Sequence, residues 1–207
     1  MLRVERLKQR FGSLTVLDGI SFSAQKGEFV SIVGPSGCGK TILLKLIVGL
    51  MQPTSGTVRT EAADGIAYAF QKSPLFPWLS LYENVRLCMG ADNRAEAERA
   101  AQIRAYFRAA GLEGFEGELP WRISGGMRQK VNVIRAFCSG WPLILMDEPF
   151  VSLDFPSRQE LQELTLKLWS REKKTIVFVT HDLDEALQLS NRVLVLSPRP
   201  SNVVKEI

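Results

Sequence analysis

The sequence predicts an α/β fold built on a mostly parallel sheet, with a helical segment inserted into it. Three observations carry this. Short, nearly all-apolar runs, "FVSIV" (29–33), "LILM" (143–146) and "TIVFVT" (175–180), have the length and composition of strands buried on both faces. Each run is followed by a segment with apolar residues at helical spacing, the alternation that builds a parallel sheet. From residue 72 to residue 140 the texture changes, and alanine-rich helical sequence separates the two halves of this pattern.

Taken in order, residues 1–33 read as strands and turns. "LTVLDGISFSAQKGEFVSIV" alternates, with turns at Gly19 and at Lys26–Gly27. "TILLKLIVGL" (41–50) repeats apolar residues as a helix does. Residues 53–71 predict a turn, a strand and a second strand ending at Gln71. "AEAERAAQIRAYFRAAG" (95–111) reads as a helix, rich in alanine with apolar residues at i+3 and i+4. "SGGMRQKVNVIRAFCSG" (124–140) reads as another, with Met127, Val131, Ile134 and Cys138 on one face and Val133 and Phe137 beside them. A helix near 156–171 follows "LILM", a short one near 183–189 follows "TIVFVT", and "RVLVLS" (192–197) is the last strand. Residues 1–71 and 141–207 are therefore expected to form the α/β core and residues 72–140 a helical subdomain.

Composition narrows the classes. The chain has 207 residues, 45% of them hydrophobic, enough for one core with a subdomain and too few for two nucleotide-binding modules. Net charge is +4, and the basic residues are scattered, which fits a solvated surface better than a nucleic-acid footprint. The three cysteines, Cys38, Cys88 and Cys138, form no C-x-x-C pair and read as free thiols in a reducing compartment. "MLRVERLKQRFG" holds no apolar signal core, and the longest apolar stretch is broken by Lys45 and too short for a bilayer. A soluble, cytosolic chain is expected, reaching a membrane only through a partner.

Three motifs carry chemistry. Residues 34–41, "GPSGCGKT", have the form G-x-x-x-x-G-K-T between a strand and a helix. Glycines let that turn curl with its N–H groups inward, and the helix start adds unpaired N–H groups, which together cradle phosphate. Lys40 can reach the β- and γ-phosphates, and the Thr41 hydroxyl can bind Mg²⁺. The loop alone fits a kinase, a GTPase, a helicase or a transport motor. In "LILMDEPF" the strand ends in Asp147 and Glu148, at the strand end where open parallel sheets bind ligands. Asp147 can hold Mg²⁺ and Glu148 can orient or deprotonate a water, against the plainer reading of two surface acids. In "ISGGMRQK", Ser124 is a good helix N-cap and Gly125–Gly126 leave the backbone open, a second anion site suited to another chain's nucleotide or an ordinary capped helix. His181, the one histidine, follows "FVT" at a strand end.

Together these motifs resemble the ATPase subunit of an ABC transporter, over essentially the whole chain. The resemblance implies a P-loop NTPase fold with a mostly parallel core sheet, an N-terminal antiparallel β-subdomain and the inserted helical subdomain. Gly34, Pro35, Ser36, Gly37, Cys38, Gly39, Lys40 and Thr41 match its Walker A loop, and Asp147 and Glu148 match Walker B and the catalytic glutamate. Gln71 in "YAFQKSPLFPW" matches the Q-loop glutamine, which implies a contact to Mg²⁺ or water. Ser124, Gly125 and Gly126 match the signature motif, Asp154 ends the D-loop "VSLD", and His181 matches the switch histidine on the γ-phosphate. Phe11 lies where an aromatic ring stacks on adenine, with Val16 nearby. Ile123 and Met127 depart from the usual L-S-G-G-Q. "SGGMRQ" and "FPWLSLYENV" resemble the branch that imports nitrate, sulfonates and taurine. The chain ends at Ile207, sooner than that branch leads one to expect, and the resemblance implies that a C-terminal helical tail and any regulatory domain are to be expected beyond that residue.

The resemblance thus implies an enzyme that binds ATP and Mg²⁺ and hydrolyses ATP. It implies a second ATPase subunit closing head-to-tail around two ATP molecules, a membrane permease whose coupling helix is received at the loop of Phe76, Pro77 and Trp78, and a solute-binding protein in the complex, with no nucleic acid. It also implies a cytoplasmic place on the inner face of the membrane. A soluble ABC ATPase of DNA repair or translation fits less well, because the chain has one module, no long coiled-coil insertion and no basic tract. A regulatory module without turnover is disfavoured by intact Lys40, Asp147, Glu148 and His181.

Overall fold

The computed structural model of the protein describes residues 1–62, 65–72, 74–90, 95–151 and 153–207. The elements run β1 (Leu2–Phe11), β2 (Leu14–Ala24), β3 (Phe29–Val33), α1 (Lys40–Ile47), β4 (Ser55–Thr60) and β5 (Ile66–Ala69). Then come α2 (Leu81–Arg86), α3 (Glu96–Ala109), a 3₁₀ turn (Pro120–Arg122) and α4 (Gly125–Cys138). The chain closes with β6 (Leu143–Asp147), α5 (Phe155–Glu172), β7 (Thr175–Thr180), α6 (Leu183–Leu189), β8 (Arg192–Leu196) and β9 (Val203–Glu206).

The chain divides into two compact units, one of residues 1–68, 141–148 and 173–207, the other of residues 69–140 and 149–172. In the first, a six-stranded sheet has the order β5-β6-β7-β3-β8-β9, and a three-stranded antiparallel sheet has the order β2-β1-β4. β6, β7, β3 and β8 pair in parallel, and β9 adds an antiparallel edge on β8. Every residue of β3, β6 and β7 is buried, as their unbroken apolar sequence requires. Phe29 and Phe178 meet edge to face on adjacent strands, their centroids 6.2 Å apart. Leu43, Leu44, Leu46 and Ile47 turn one face of α1 into the same core as Val30, Leu145 and Val177. Each such side chain contributes about 1.5–3 kcal/mol by leaving water.

The helical unit is organised on α4. Val131, Val133, Ile134, Phe137 and Cys138 are buried, as the spacing predicts, whereas Met127 at the helix start is half-buried. α5 differs from expectation, for it groups with this unit and not with the α/β core. The cause is local: α5 packs on α4, Lys130 pairs with Glu160 at 2.7 Å, and the Tyr106 hydroxyl donates to Glu172. Three further differences concern single elements. The strand predicted to reach Gln71 stops at Ala69, so Gln71 stands in an exposed bend. The sequence pattern marks neither α2, although Ser80 and Glu83 form a complete capping box at its start, nor β9.

Candidate nucleotide site

Strand register sets the site. Val33 pairs with Thr180 and Asp147 with Val179, so the glycine loop, the acidic pair and His181 leave the sheet at one level. At the loop's end Gly39 caps α1 with φ 114°, and a Cβ there would lie 2.8 Å from Val16 Cγ1 and Leu17 Cδ2. Only glycine fits both the dihedral and the contact. Val16 is thus buried beneath the loop backbone. At the other end, a Cβ on Gly34 would lie 2.9 Å from Cys38 Sγ, so the buried thiol fills the space against that glycine. Pro35, Ser36 and Gly37 are exposed.

Lys40 is only 5% exposed, and its ammonium is fully occupied. Nζ donates to the Gly34 carbonyl at 2.9 Å and the Pro35 carbonyl at 3.3 Å, and lies 3.3 Å from Glu148 Oε1. The other carboxylate oxygen of Glu148 is 3.2 Å from His181 Nδ1. A proton on Nδ1 makes that contact a hydrogen bond to the carboxylate, so the tautomer decides which role Nε2 plays. Glu148 itself has φ 44°, a left-handed backbone on a long side chain, and its N–H donates to the Val179 carbonyl at 3.0 Å. Such a conformation costs on the order of 1–3 kcal/mol and persists only where the surroundings enforce it.

Asp147 has a different setting. Thr41 Oγ1 donates to its Oδ1 at 2.9 Å, and the Tyr68 hydroxyl donates to its Oδ2 at 2.9 Å. Burial pushes the Asp147 carboxyl above the usual carboxylate range; the Thr41 and Tyr68 bonds pull it back, and the charge of Glu148 adds to the rise. The Tyr68 hydroxyl is pushed well above its usual value, first by burial and then by the carboxylate it faces, so it stays a donor.

In the helical unit, Ser124 Oγ accepts from the Met127 N–H at 3.2 Å and caps α4. Nothing stands closer than 3.8 Å to a Cβ placed on Gly125, whereas one on Gly126 would meet Ser157 Oγ at 3.3 Å. Asp154 stands at the start of α5, where its carboxylate accepts from the Ser157 N–H at 3.4 Å; the Ser157 hydrogen bonds hold that carboxyl below its usual range. Ser152, inside "VSLD", lies outside the described residues. The Gln71 carbonyl accepts from Gln129 Nε2 at 3.3 Å, and the Phe70 carbonyl accepts from Asn132 Nδ2 at 2.9 Å, so α4 holds the backbone at Phe70 and Gln71. Phe11, 46% exposed, ends β1 opposite Leu14.

Comparison with known proteins decides the family. The family described as "ABC transporter" matches residues 17–151, more than half of the chain. The chain belongs to the ABC transporter family of ATP-binding cassettes. An uncharacterized ABC transporter ATP-binding protein of Methanocaldococcus jannaschii, MJ0412, is 40% identical and covers 100% of this chain and 80% of that protein. The aliphatic sulfonates import ATP-binding protein SsuB of Bacillus cereus is 39% identical over 95% of this chain and 79% of its own length. Among solved structures, the dimeric bacterial ABC transporter cassette MJ0796 matches with a TM-score of 0.85 at 29% identity, over 100% of this chain and 98% of that one. A post-hydrolysis dimer of MJ0796 bound to ADP and Pi matches with a TM-score of 0.84.

Two features of this cassette's site escaped the sequence reading. Tyr68 binds Asp147 from a strand 79 residues away, and nothing in "GIAYAF" marks a partner for its hydroxyl. Arg199, in the turn between β8 and β9, lines a pocket of about 150 Å³ with Gly37, Gly39, Lys40, Thr41, Ile42 and Glu148. Among the described residues of the cassette, no helix is long and apolar enough to cross a membrane.

Proposed function

We propose that this cassette hydrolyses ATP and drives solute import through a separate membrane permease. The observation that carries the reading is one linked set of side chains at the level end of the parallel strands: Lys40 to Glu148, Glu148 to His181, and Thr41 to Asp147. In this reading Gly34, Pro35, Ser36, Gly37, Cys38, Gly39, Lys40 and Thr41 wrap the phosphates. The backbone N–H groups at the start of α1 face the charge. Lys40 exchanges the Gly34 and Pro35 carbonyls for phosphate oxygens, a stronger partner for an ammonium. Thr41 and Asp147 present two oxygens already 2.9 Å apart, a hard donor set that fits Mg²⁺ completed by phosphate and water. When bound, that ion supplies charge neutralisation on the phosphate oxygens.

Glu148 then orients the attacking water and accepts its proton, while water's oxygen forms the bond to the γ-phosphorus and the bond to ADP breaks. His181 donates its Nδ1–H to one Glu148 oxygen and, with Nε2 also protonated, donates from Nε2 to the γ-phosphate. Gln71 contributes a contact to water or Mg²⁺ from its loop. Exposed Phe11 stacks on adenine, with Val16 shaping the loop beneath. Two copies close so that Ser124, Gly125, Gly126 and Asp154 of one complete the site of the other, an arrangement supported by the dimeric cassettes it resembles.

The permease contact falls on the loop after Gln71. Asn84 is fully buried; its Oδ1 accepts from the Phe76 N–H at 2.8 Å and its Nδ2 donates to the carbonyls of Phe76, Leu79 and Ser80. That clamp presents Phe76 and the 71% exposed Trp78 as an apolar pair, their rings tilted at 52° with centroids 5.6 Å apart. Import, a solute-binding protein in the complex and a place on the inner membrane face rest on likeness to import subunits such as SsuB. Phosphate release by the purified chain with Mg·ATP tests the reading. Turnover is expected in the parent and none in Lys40→Ala; equal turnover in the two overturns it.

A further inference from the structure

The turn between β8 and β9 is tied to the glycine loop and to β2 at the same time. Ser201, fully buried, donates its hydroxyl to the Cys38 carbonyl inside the loop. The Ser201 N–H donates to the Val16 carbonyl at 2.9 Å, and the Ser201 carbonyl accepts from the Asp18 N–H at 2.8 Å. Within the turn, the Ser197 N–H donates to the Asn202 carbonyl at 3.0 Å, and Ser197 Oγ accepts from the Asn202 N–H at 3.1 Å. This turn carries Arg199. Its Nη2 lies 3.7 Å from where a Cβ on Gly37 would stand, and the side chain lines the same pocket as Lys40, Thr41 and the start of α1. Lys40 in that pocket has three oxygen partners. Arg199 makes no hydrogen bond or ion pair among the described residues.

We infer that Arg199 is a second cationic contact to the nucleotide, binding a phosphate oxygen on the open side of the loop, across from Lys40. The β8–β9 turn is thereby a wall of the nucleotide site. A guanidinium is always charged and offers a planar fork of N–H donors that can bind phosphate oxygens two at a time. Ordering an arginine costs side-chain entropy, but here the backbone is already anchored to the loop it would serve. Lys40 approaches from beneath and is buried, whereas Arg199 approaches from the solvent side. The two therefore differ in salt response, since an exposed charge is screened and a buried one far less.

The inference rests on the nucleotide-binding reading above, and its test separates the two. Affinities for ATP, ADP and adenosine are measured by titration calorimetry for the parent, Arg199→Ala, Arg199→Gln and Arg199→Lys, at low and high salt. Arg199 is exposed, so all four proteins should melt alike. ATP and ADP binding should weaken roughly 3- to 30-fold in the Ala and Gln variants, less than a buried charge-assisted hydrogen bond would give because the exposed guanidinium is screened. Adenosine binding should not change, Lys should restore part of the loss, and the deficit should shrink at high salt. In turnover, KM should rise with kcat within about twofold. If the parent binds ATP and the Ala variant binds it equally well, Arg199 is a solvated arginine and the inference falls while the nucleotide site stands. If adenosine binding falls as much as ATP binding, the turn acts by shape and the phosphate contact is wrong. A parent that binds no ATP overturns both readings.

Discussion

Replacing Tyr68 by phenylalanine removes one oxygen and leaves the ring. The hydroxyl donates to Asp147 Oδ2 at 2.9 Å, and the other Asp147 oxygen is held by Thr41. A hydrogen bond to a charged group contributes about 1.5–3 kcal/mol; the ring is half-buried, so the lower end applies. For a chain of this length about 1.5 kcal/mol lowers Tm by roughly 3–6 °C. The effect also has a sign in pH. Burial already places the folded Asp147 carboxyl above its unfolded value, so the folded state binds the proton more tightly. That contribution is present at low pH and is lost as pH rises through the raised folded value. Tyr68 opposes this rise, and without it the carboxyl climbs further. The deficit of Tyr68→Phe should therefore be full at neutral pH and shrink toward acid. Differential scanning calorimetry across that range reads both quantities. Half-saturating Mg²⁺ for turnover should rise several-fold, because Asp147 loses one of its two anchors. Equal melting at neutral pH together with an unchanged Mg²⁺ requirement would refute the argument.

Two other substitutions follow from the loops. Gly39→Ala puts a methyl group 2.8 Å from Val16 and Leu17 at φ 114°, so ATP binding, read by fluorescence of a labelled nucleotide, should fall at least tenfold. Met127→Gln should leave turnover within several-fold, because the α4 cap comes from the Ser124 hydroxyl and the Met127 N–H, which the change keeps; a complete loss in a phosphate-release assay would give the side chain itself the role.

Much of the core was legible because its strands are buried on both faces. "FVSIV" and "TIVFVT" have the observed bounds, and "LILM" is one residue short only because Asp147 continues the strand. Once those strands are parallel and level, Lys40, Thr41, Asp147, Glu148 and His181 must emerge on one rim. What escaped depends on distant or weak signals. Tyr68 and Arg199 read as ordinary residues until folding brings them to partners, Arg199 through a serine that bonds 163 positions back in the chain. α5 carries no mark of which unit it joins; its place follows from contacts such as Lys130 to Glu160. Gln71 was placed on a strand because "AYAF" is apolar, but Asn132 captures the Phe70 carbonyl and draws the backbone out of the sheet ladder. The Ser80–Glu83 capping box was there to be read, and the six-residue helix it starts was hidden by the proline-rich stretch before it.

In the proposed mechanism Glu148 serves hydrolysis while the glycine loop serves binding. Glu148→Gln keeps the shape of the side chain and removes its charge, its basic oxygen and its ion pair with Lys40. Lys40, Thr41 and Asp147 remain. The decisive measurement is phosphate release by this variant under Mg·ATP, made beside its affinity for ATP. Affinity should stay within several-fold of the parent and turnover should fall by roughly 10² or more, the scale of a lost general base. Turnover at the parental rate, with ATP bound, would contradict that role for Glu148.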